Sequence, residues 1–376
     1  MTWAAIAAPH SAAPGAGDCY PNHCSVHDVR RSQSHPPTTG VEIMAKIAIN
    51  GLGRIGRAAL KLVMDQPGLE LVGANDLATP AQLAYLLRYD SAYGRYAREV
   101  THDADDLVID GVRVPVSNQP DPARLPWKQL GVDLVLECTG VFRDQDSLRG
   151  HLEAGARRVI LSAPSKDDEV PMVVPGVNEP GAASIFSCAS CTTNCITPVS
   201  EVMSRRIGIA KAMMTTVHAY TASQGLVDGP AQMGKGRMER GRAGAVNLVP
   251  TSTGAAEATT QVLTDLAGRF DGLAVRAPVP VGSVADITFV TTARTSVDAV
   301  NKVFLEESLN PRYNAVLGIV EEPMVSTDII GDKHAAVVDL TQTRVVDGDL
   351  VKVLAWYDNE MGYAAQMLRA AVTVLG

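Results

Sequence analysis

Up to residue 43 apolar and polar positions follow no period, and from Lys46 onward they fall into short apolar runs separated by amphipathic stretches. KIAIN at Lys46–Asn50 reads as a strand, RIGRAALKLVMD after a glycine turn as a helix, and LELVGAND as the next strand. VDLVLECTG (Val132–Gly140) and RRVILSAPS (Arg157–Ser165) read as buried strands that end in small and polar residues. This alternation predicts an α/β, doubly wound parallel sheet, with ligand groups collecting at the carboxyl ends of its strands. Further on, AMMTTVHAY, AVRAPVP, SVADITFVTTART and GDLVKVLAWYDN carry alternating or β-branched positions and predict further strands. Residues 1–43, holding His10, His23, His27 and His35, read as a disordered leader or as a start assigned upstream of a true one at Met44.

The chain has 376 residues, 46% hydrophobic and 20% charged, which suits a two-domain folded protein. Lys and Arg number 33 against 41 Asp and Glu, a net charge of −8, so neither nucleic acid nor an anionic membrane is an expected partner. The sequence has no apolar run long enough for a membrane span, and the leader has no secretory pattern, so a cytoplasmic location and small-molecule partners are expected. Cys188, Cys191 and Cys195 crowd into mid-chain instead of forming a disulfide framework. Two cysteines four apart, with no following His or Cys pair, make half a zinc site, and no metal is expected.

Gly51, Gly53 and Gly56 form GxGxxG between a strand and a helix, the context that gives this motif meaning. Gly51 permits the tight turn, Gly53 lets the backbone approach a pyrophosphate, and Gly56 allows close helix packing. Asp76 ends the second strand twenty residues beyond Gly56, where an acidic side chain binds ribose hydroxyls and repels a ribose phosphate. The reading is a Rossmann domain for NAD in preference to NADP. SCASCTTNCITPVSEVMSRR is a polar turn flowing into a helix that opens at Cys191, and the amides there are expected to lower the thiol pKa. His218, twenty-seven residues on, closes AMMTTVHAY and is a candidate base for that thiol, although spacing alone leaves a structural role open.

The runs ASCTTNC, TTVHAYT, PTSTGAA, AVRAPVP and WYDNEMGY, with INGLGRIGR at the start, resemble the phosphorylating (type I) glyceraldehyde-3-phosphate dehydrogenases over Ala45–Gly376. The resemblance implies Cys191 as nucleophile and His218 as the residue that activates it and shuttles protons. It implies substrate contacts for Ser190, Thr192 and Thr221, and phosphate contacts for Thr253, Gly254, Arg276 and, in ERGRAGA, Arg240. Arg54 and Ile55 are implied at the pyrophosphate and nicotinamide, Asp76 at the ribose, and Ser162 and Asn359 on the nicotinamide side. It also implies a doubly wound Rossmann NAD-binding domain over 44–190, completed by a C-terminal helix at 359–376 that returns to it, and an α+β catalytic domain with a mostly antiparallel sheet over 191–358, with an S-loop at about 220–243. The activity implied is oxidation of D-glyceraldehyde 3-phosphate with inorganic phosphate to 1,3-bisphosphoglycerate, through a thiohemiacetal and a thioester, in glycolysis or gluconeogenesis by a cytoplasmic homotetramer.

Two departures keep alternatives open. AQMGKGRME before Arg240 is longer than the usual family spacing, and Glu239 stands where many members have a basic residue. The basic set Lys235, Arg237, Arg240 and Arg242 is then either a solvated loop face or a source of phosphate contacts. Pro120 in SNQPDP replaces a usual Arg near the adenine, which lowers the expected cofactor affinity. A paralogue acting on erythrose 4-phosphate and a non-catalytic NAD-binding or redox-sensing protein are the competing readings.

Overall fold

A strand covered on both faces has no reason to alternate, and β1 (Ala45–Asn50) does not: Ile47 through Asn50 are all buried. This computed structural model describes residues 44–231 and 237–376. The leader, with its candidate Cys19, His23, Cys24 and His27 cluster, and part of the basic loop, including Lys235, lie outside the described residues.

From β1 the chain enters α1 (Arg54–Asp65), which buries Gly56, Ala59, Leu60 and Val63, then β2 (Leu69–Asn75). Helix α2 (Pro80–Arg88) starts at a capping box of Thr79 and Gln82, with Pro80 at its first position. A short hairpin, β3 (Tyr89–Asp90) and β4 (Gly94–Arg95), precedes the meander β5 (Val100–His102), β6 (Asp106–Ile109) and β7 (Val112–Ser117). Then follow α3 (Trp127–Leu130), β8 (Leu134–Glu137), α4 (Gln145–Glu153), β9 (Arg158–Leu161) and β10 (Ile185–Ser187). The sheet order is β10-β9-β8-β1-β2-β7-β6-β5, parallel from β10 to β7 and antiparallel through the meander. Because the chain runs from β1 toward β2 and later returns to β8 on the other side, the carboxyl ends of β1 and β8 flank the switch point where such sheets bind ligands.

The second sheet begins after α5 (Cys191–Arg206) with β11 (Ile209–Ala219) and β12 (Val249–Ser252). It continues through α6 (Ala255–Val262), β13 (Phe270–Ala277), β14 (Ser283–Thr291), α7 (Val297–Ser308), β15 (Leu317–Val320), β16 (Ala336–Val346) and β17 (Leu350–Tyr357). The order is β12-β13-β11-β14-β17-β16-β15, antiparallel except at β11/β13 and β15/β16. Strand β14 alternates buried and half-buried along its whole length, as expected of a sheet with one covered face. Ile196, Val199 and Met203 of α5 pack there with Phe289, Phe304 and Val353. The last helix, α8 (Met361–Leu375), joins the other core instead, where Tyr363, Ala364, Met367 and Leu368 pack with Ile47, Leu60 and Leu136. The sheet classes, mixed parallel and mostly antiparallel, are those the sequence predicts.

Candidate active site

The turn from β10 into α5 is heavily constrained. Ala189 holds φ at 56°, a left-handed conformation unfavourable for a residue with a Cβ. Its amide donates to Ser187 Oγ (2.9 Å) and its carbonyl accepts from Tyr363 Oη on α8 (3.1 Å). Asn194 Nδ2 donates to the carbonyls of Cys188 (2.8 Å) and Ser190 (2.9 Å). Ser190 caps α5, its Oγ accepting from the Thr193 amide at 3.1 Å, so Cys191 occupies the first helical position.

Strand β11 returns antiparallel to β14 and parallel to β13, and this brings His218 Nε2 to 3.3 Å from Cys191 Sγ. The ring is buried and meets Tyr357 edge-on, centroids 5.9 Å apart; the Tyr357 hydroxyl bonds Thr192 (2.9 Å) and Thr216 (2.7 Å). His218 Nδ1 lies 2.7 Å from both the Ala219 carbonyl and Arg276 Nη1, which also reaches that carbonyl at 2.9 Å. Arginine only donates. Nδ1 thus faces a donor, Arg276, and an acceptor, the Ala219 carbonyl, at the same distance, and either neutral tautomer leaves one of the two contacts without a hydrogen bond.

Burial pushes the Cys191 thiol up, against the pull of Arg276, the Thr192 hydroxyl and amide, and its own amide. The expectation that the helix end alone would lower this pKa is corrected: desolvation of the thiolate outweighs the amide dipoles. Burial, and then Arg276, push His218 down to about 3. Burial thus favours the neutral form of both groups in this site.

The pair faces a cavity of about 500 Å³ lined also by Ser190, Thr192, Arg237, Arg240, Thr253, Gly254 and Arg276. Arg240 is 7% exposed; its Nε donates to Thr251 Oγ1 and its Nη2 to the Ser252 carbonyl, each at 3.0 Å. Burial, Arg276 and Arg237 press its pKa down to about 10. Glu239, from the longer loop, takes the Thr251 hydroxyl at 2.5 Å and so supports this arginine through Thr251. In that loop Arg242 pairs with Asp228 at 2.8 Å, whereas Arg240 and Arg276 form no ion pair among the described residues. Arg276 Nε is buried without a partner among them. Two guanidinia without ion-pair partners among the described residues thus face the cavity beside the start of α6 at Gly254, and its lining also includes Asp168 and Glu257.

The glycine turn fits a dinucleotide cradle. Gly51 has φ of 90°, and a Cβ there would lie 2.7 Å from the Thr139 amide; a Cβ on Gly56 would lie 1.9 Å from the Gly51 carbonyl, while Gly53 faces open space. Asp76 accepts from the Leu52 (2.7 Å) and Ala78 (2.8 Å) amides, which aims its carboxylate along the groove. That groove, about 430 Å³, is lined by Gly51, Gly53, Asp76, Leu77, Pro120, Thr139 and Phe142. Asn359 Oδ1 accepts from the Gly282 amide (3.1 Å) and Ser283 Oγ (3.0 Å), leaving its amide hydrogens available.

Other predicted residues stand apart from these two cavities. The Arg54 guanidinium is committed to Glu360 (Nε, 2.9 Å) and Asp90 (2.5 Å), so only its backbone is free to serve a pyrophosphate. Thr221 bonds Ser223 at 2.9 Å and lines a third cavity, of about 350 Å³, with Arg54, Tyr220 and Glu360. Ile55 is half-buried against the first core, and the Ser162 amide donates to the Glu137 carbonyl at 3.0 Å. Tyr357, the strained Ala189 and the buried pair Glu137 and His151 escape the sequence reading; a Glu inside the apolar run VDLVLE was the available signal for the pair.

Two family models match the chain: "Glyceraldehyde 3-phosphate dehydrogenase, NAD binding domain" over residues 45–145, and "Glyceraldehyde 3-phosphate dehydrogenase, C-terminal domain" over residues 190–359. The chain is 44% identical over 331 residues to glyceraldehyde-3-phosphate dehydrogenase of Clostridium acetobutylicum, covering 87% of this chain and 97% of that one. It is 43% identical to that of Zymomonas mobilis with the same coverage, and 40% identical to glyceraldehyde-3-phosphate dehydrogenase 2 of Streptomyces avermitilis, covering 88% and 98%. The chain belongs to the glyceraldehyde-3-phosphate dehydrogenase family, NAD-dependent oxidoreductases.

Proposed function

We propose that this enzyme oxidises D-glyceraldehyde 3-phosphate with NAD and inorganic phosphate to 1,3-bisphosphoglycerate, in glycolysis or gluconeogenesis. The observation that carries the reading is the Cys191–His218 contact of 3.3 Å at the wall of a cavity holding Arg240 and Arg276 without counterions. A substrate phosphate and a free phosphate need two cationic sites near one sulfur, and paired guanidinium donors supply them. Anion binding draws Arg276 off His218 Nδ1. With Arg276 withdrawn, the ring holds its proton on Nδ1, donated to the Ala219 carbonyl, and Nε2 is free to take the thiol proton.

Cys191 Sγ adds to the aldehyde carbon, and the hemithioacetal oxygen gains the proton. His218 Nε2 removes that proton again as the carbon is oxidised to a thioester. NAD, when bound, supplies the hydride acceptor. A phosphate oxygen then attacks the thioester carbonyl, and the Cys191 thiolate leaves. The covalent acyl-enzyme splits one difficult step into two, and a thiolate leaves more readily than an alkoxide.

The division into an NAD-binding domain over 44–190 with 359–376 and a catalytic domain over 191–358 belongs to this reading. So do the contacts assigned to Ser190, Thr192, Thr253, Gly254, Ser162 and Asn359. A homotetramer is supported by the outward face of the second sheet, where Met213, Val217 and Leu273 are 65%, 39% and 46% exposed. The decisive experiment is NADH formation from glyceraldehyde 3-phosphate and NAD with phosphate varied, and with erythrose 4-phosphate as rival substrate. Phosphate-dependent turnover that erythrose 4-phosphate fails to match supports the reading; phosphate-independent turnover, or NAD binding without turnover, overturns it.

A further inference from the structure

Beneath the cofactor groove runs a buried polar chain that no step above uses. Glu137 ends β8, and His151 stands on α4; both are 0% exposed. Trp127 Nε1 always carries a hydrogen and donates it to His151 Nδ1 at 3.0 Å. Nδ1 is therefore bare, and the neutral ring holds its hydrogen on Nε2, 3.0 Å from Glu137 Oε2. Asn50 Nδ2 donates to the same oxygen at 2.5 Å. The other oxygen receives the Thr139 amide at 2.8 Å and the Thr139 hydroxyl. Four donors fill the carboxylate, and no arginine or lysine pairs with it among the described residues.

A buried carboxylate without a counterion is costly, and it persists when every lone pair is met and the geometry it fixes is needed. What it fixes here is the groove floor. Asn50 immediately precedes Gly51, and its Oδ1 accepts from Asn75, the residue before Asp76, at 2.7 Å. Thr139 is the residue whose amide lies against Gly51. Glu137 thereby sets the spacing between the glycine turn, the strand end that bears Asp76 and the turn after β8, and each of its own lone pairs is already taken.

We infer that Glu137, oriented by His151 and Trp127, is a positioning residue for NAD: it shapes the cofactor groove without touching cofactor or reacting atoms. The inference rests on the reading of that groove as the NAD site, for which Asp76→Ala is the independent control. The test compares His151→Leu, which deletes the donor to Oε2, with His151→Gln, which restores an N–H there, and adds Glu137→Gln. NAD affinity is measured by calorimetry on the full chain, together with KM for NAD, kcat and the unfolding midpoint.

His151→Leu is expected to weaken NAD about tenfold in both Kd and KM, the effect of losing one charge-assisted hydrogen bond, with kcat within about twofold. His151→Gln should recover to within about threefold of the parent, and Glu137→Gln should lose at least as much as His151→Leu. A packing role alone would lower the midpoint in both His151 variants and leave KM for NAD unmoved, or move it equally in both; either result overturns the inference. If Asp76→Ala weakens NAD and the His151 variants do not, the groove reading stands and the inference fails. If Asp76→Ala has no effect either, both fail. Should Glu137→Gln not fold, the His151 pair still decides.

Discussion

Replacing Arg240 by Met tests whether this guanidinium is kept for a ligand or for the fold. Its pKa, about 10 in the structure against an ordinary value of roughly 12.5, corresponds to about 3 kcal/mol by which the unliganded cavity disfavours the charge. The sign follows from linkage: near pH 7 the group is charged in folded and unfolded chains alike, so the full penalty acts, and it fades only as pH rises through about 10. Methionine removes the charge and fills similar space, and it forfeits the bonds to Thr251 and the Ser252 carbonyl, worth about 1 kcal/mol each. The variant should therefore be more stable than the parent by about 1 kcal/mol in phosphate-free buffer.

Phosphate should reverse that ranking. A ligand at one hundred times its Kd stabilises the parent by about 2.7 kcal/mol, and the variant, with its affinity reduced about 10- to 100-fold, gains far less. The assay is urea unfolding with and without phosphate, paired with KM for phosphate. A variant less stable than the parent without phosphate, or one that keeps the parent's response to phosphate, would refute the reasoning, because either result makes Arg240 a structural residue.

Cys191→Ser should abolish NADH formation and leave NAD binding within about twofold, since a hydroxyl at its ordinary pKa is a far poorer nucleophile than a thiolate; measurable phosphate-dependent turnover would remove Cys191 from its role. His218→Asn should move the pH profile of Cys191 alkylation by iodoacetamide upward, because Nε2 is no longer there to take the thiol proton as the sulfur attacks; a superimposable profile would show that the 3.3 Å contact transfers no proton. Asp76→Ala should weaken NAD about tenfold and narrow its preference over NADP, as titration calorimetry with both cofactors would report. Equal affinity for NAD and NADP in the parent would discard the assigned role of Asp76.

Features whose physics is local were legible in the sequence. Gly51, Gly53 and Gly56 act within one turn, and the capped start of α5 follows from a polar stretch before a helical one. The β6–β7 hairpin has a local signal too: Asp110 and Gly111, both with positive φ (47° and 80°), form the Asp-Gly turn between LVI and VRVPV. Arg54 is different in kind. Its partner Glu360 lies 306 residues away, so no local pattern indicates that its guanidinium is already occupied. The contact between Cys191 and His218 is non-local as well, and exists because β11 threads between β13 and β14 after α5 has ended. Residue types were readable where one segment decided the chemistry, and their availability was not where a distant segment did.

Availability is what separates the two kinds of buried charge in this molecule. Glu137 has four donors from its own chain, so nothing remains for a ligand and its effect is confined to the geometry of its neighbours. Arg240 is buried and Arg276 half-buried in the wall of one cavity, with the Arg276 Nε unpartnered among the described residues, and Arg276 raises the cost of charge on both Arg240 and His218. A fold selected for stability alone would be better served by neutral side chains at those two positions. On the proposed reading, an anion entering the cavity would offset the charge of the two guanidinia, and by drawing Arg276 toward it would free His218 Nδ1 in the same event. Phosphate binding and thiol activation are then coupled through one arginine, which predicts that inorganic phosphate alone speeds alkylation of Cys191 by iodoacetamide, and that Arg276→Met abolishes this acceleration; acceleration that survives the substitution would separate the two events and return Arg276 to the role of a simple anchor.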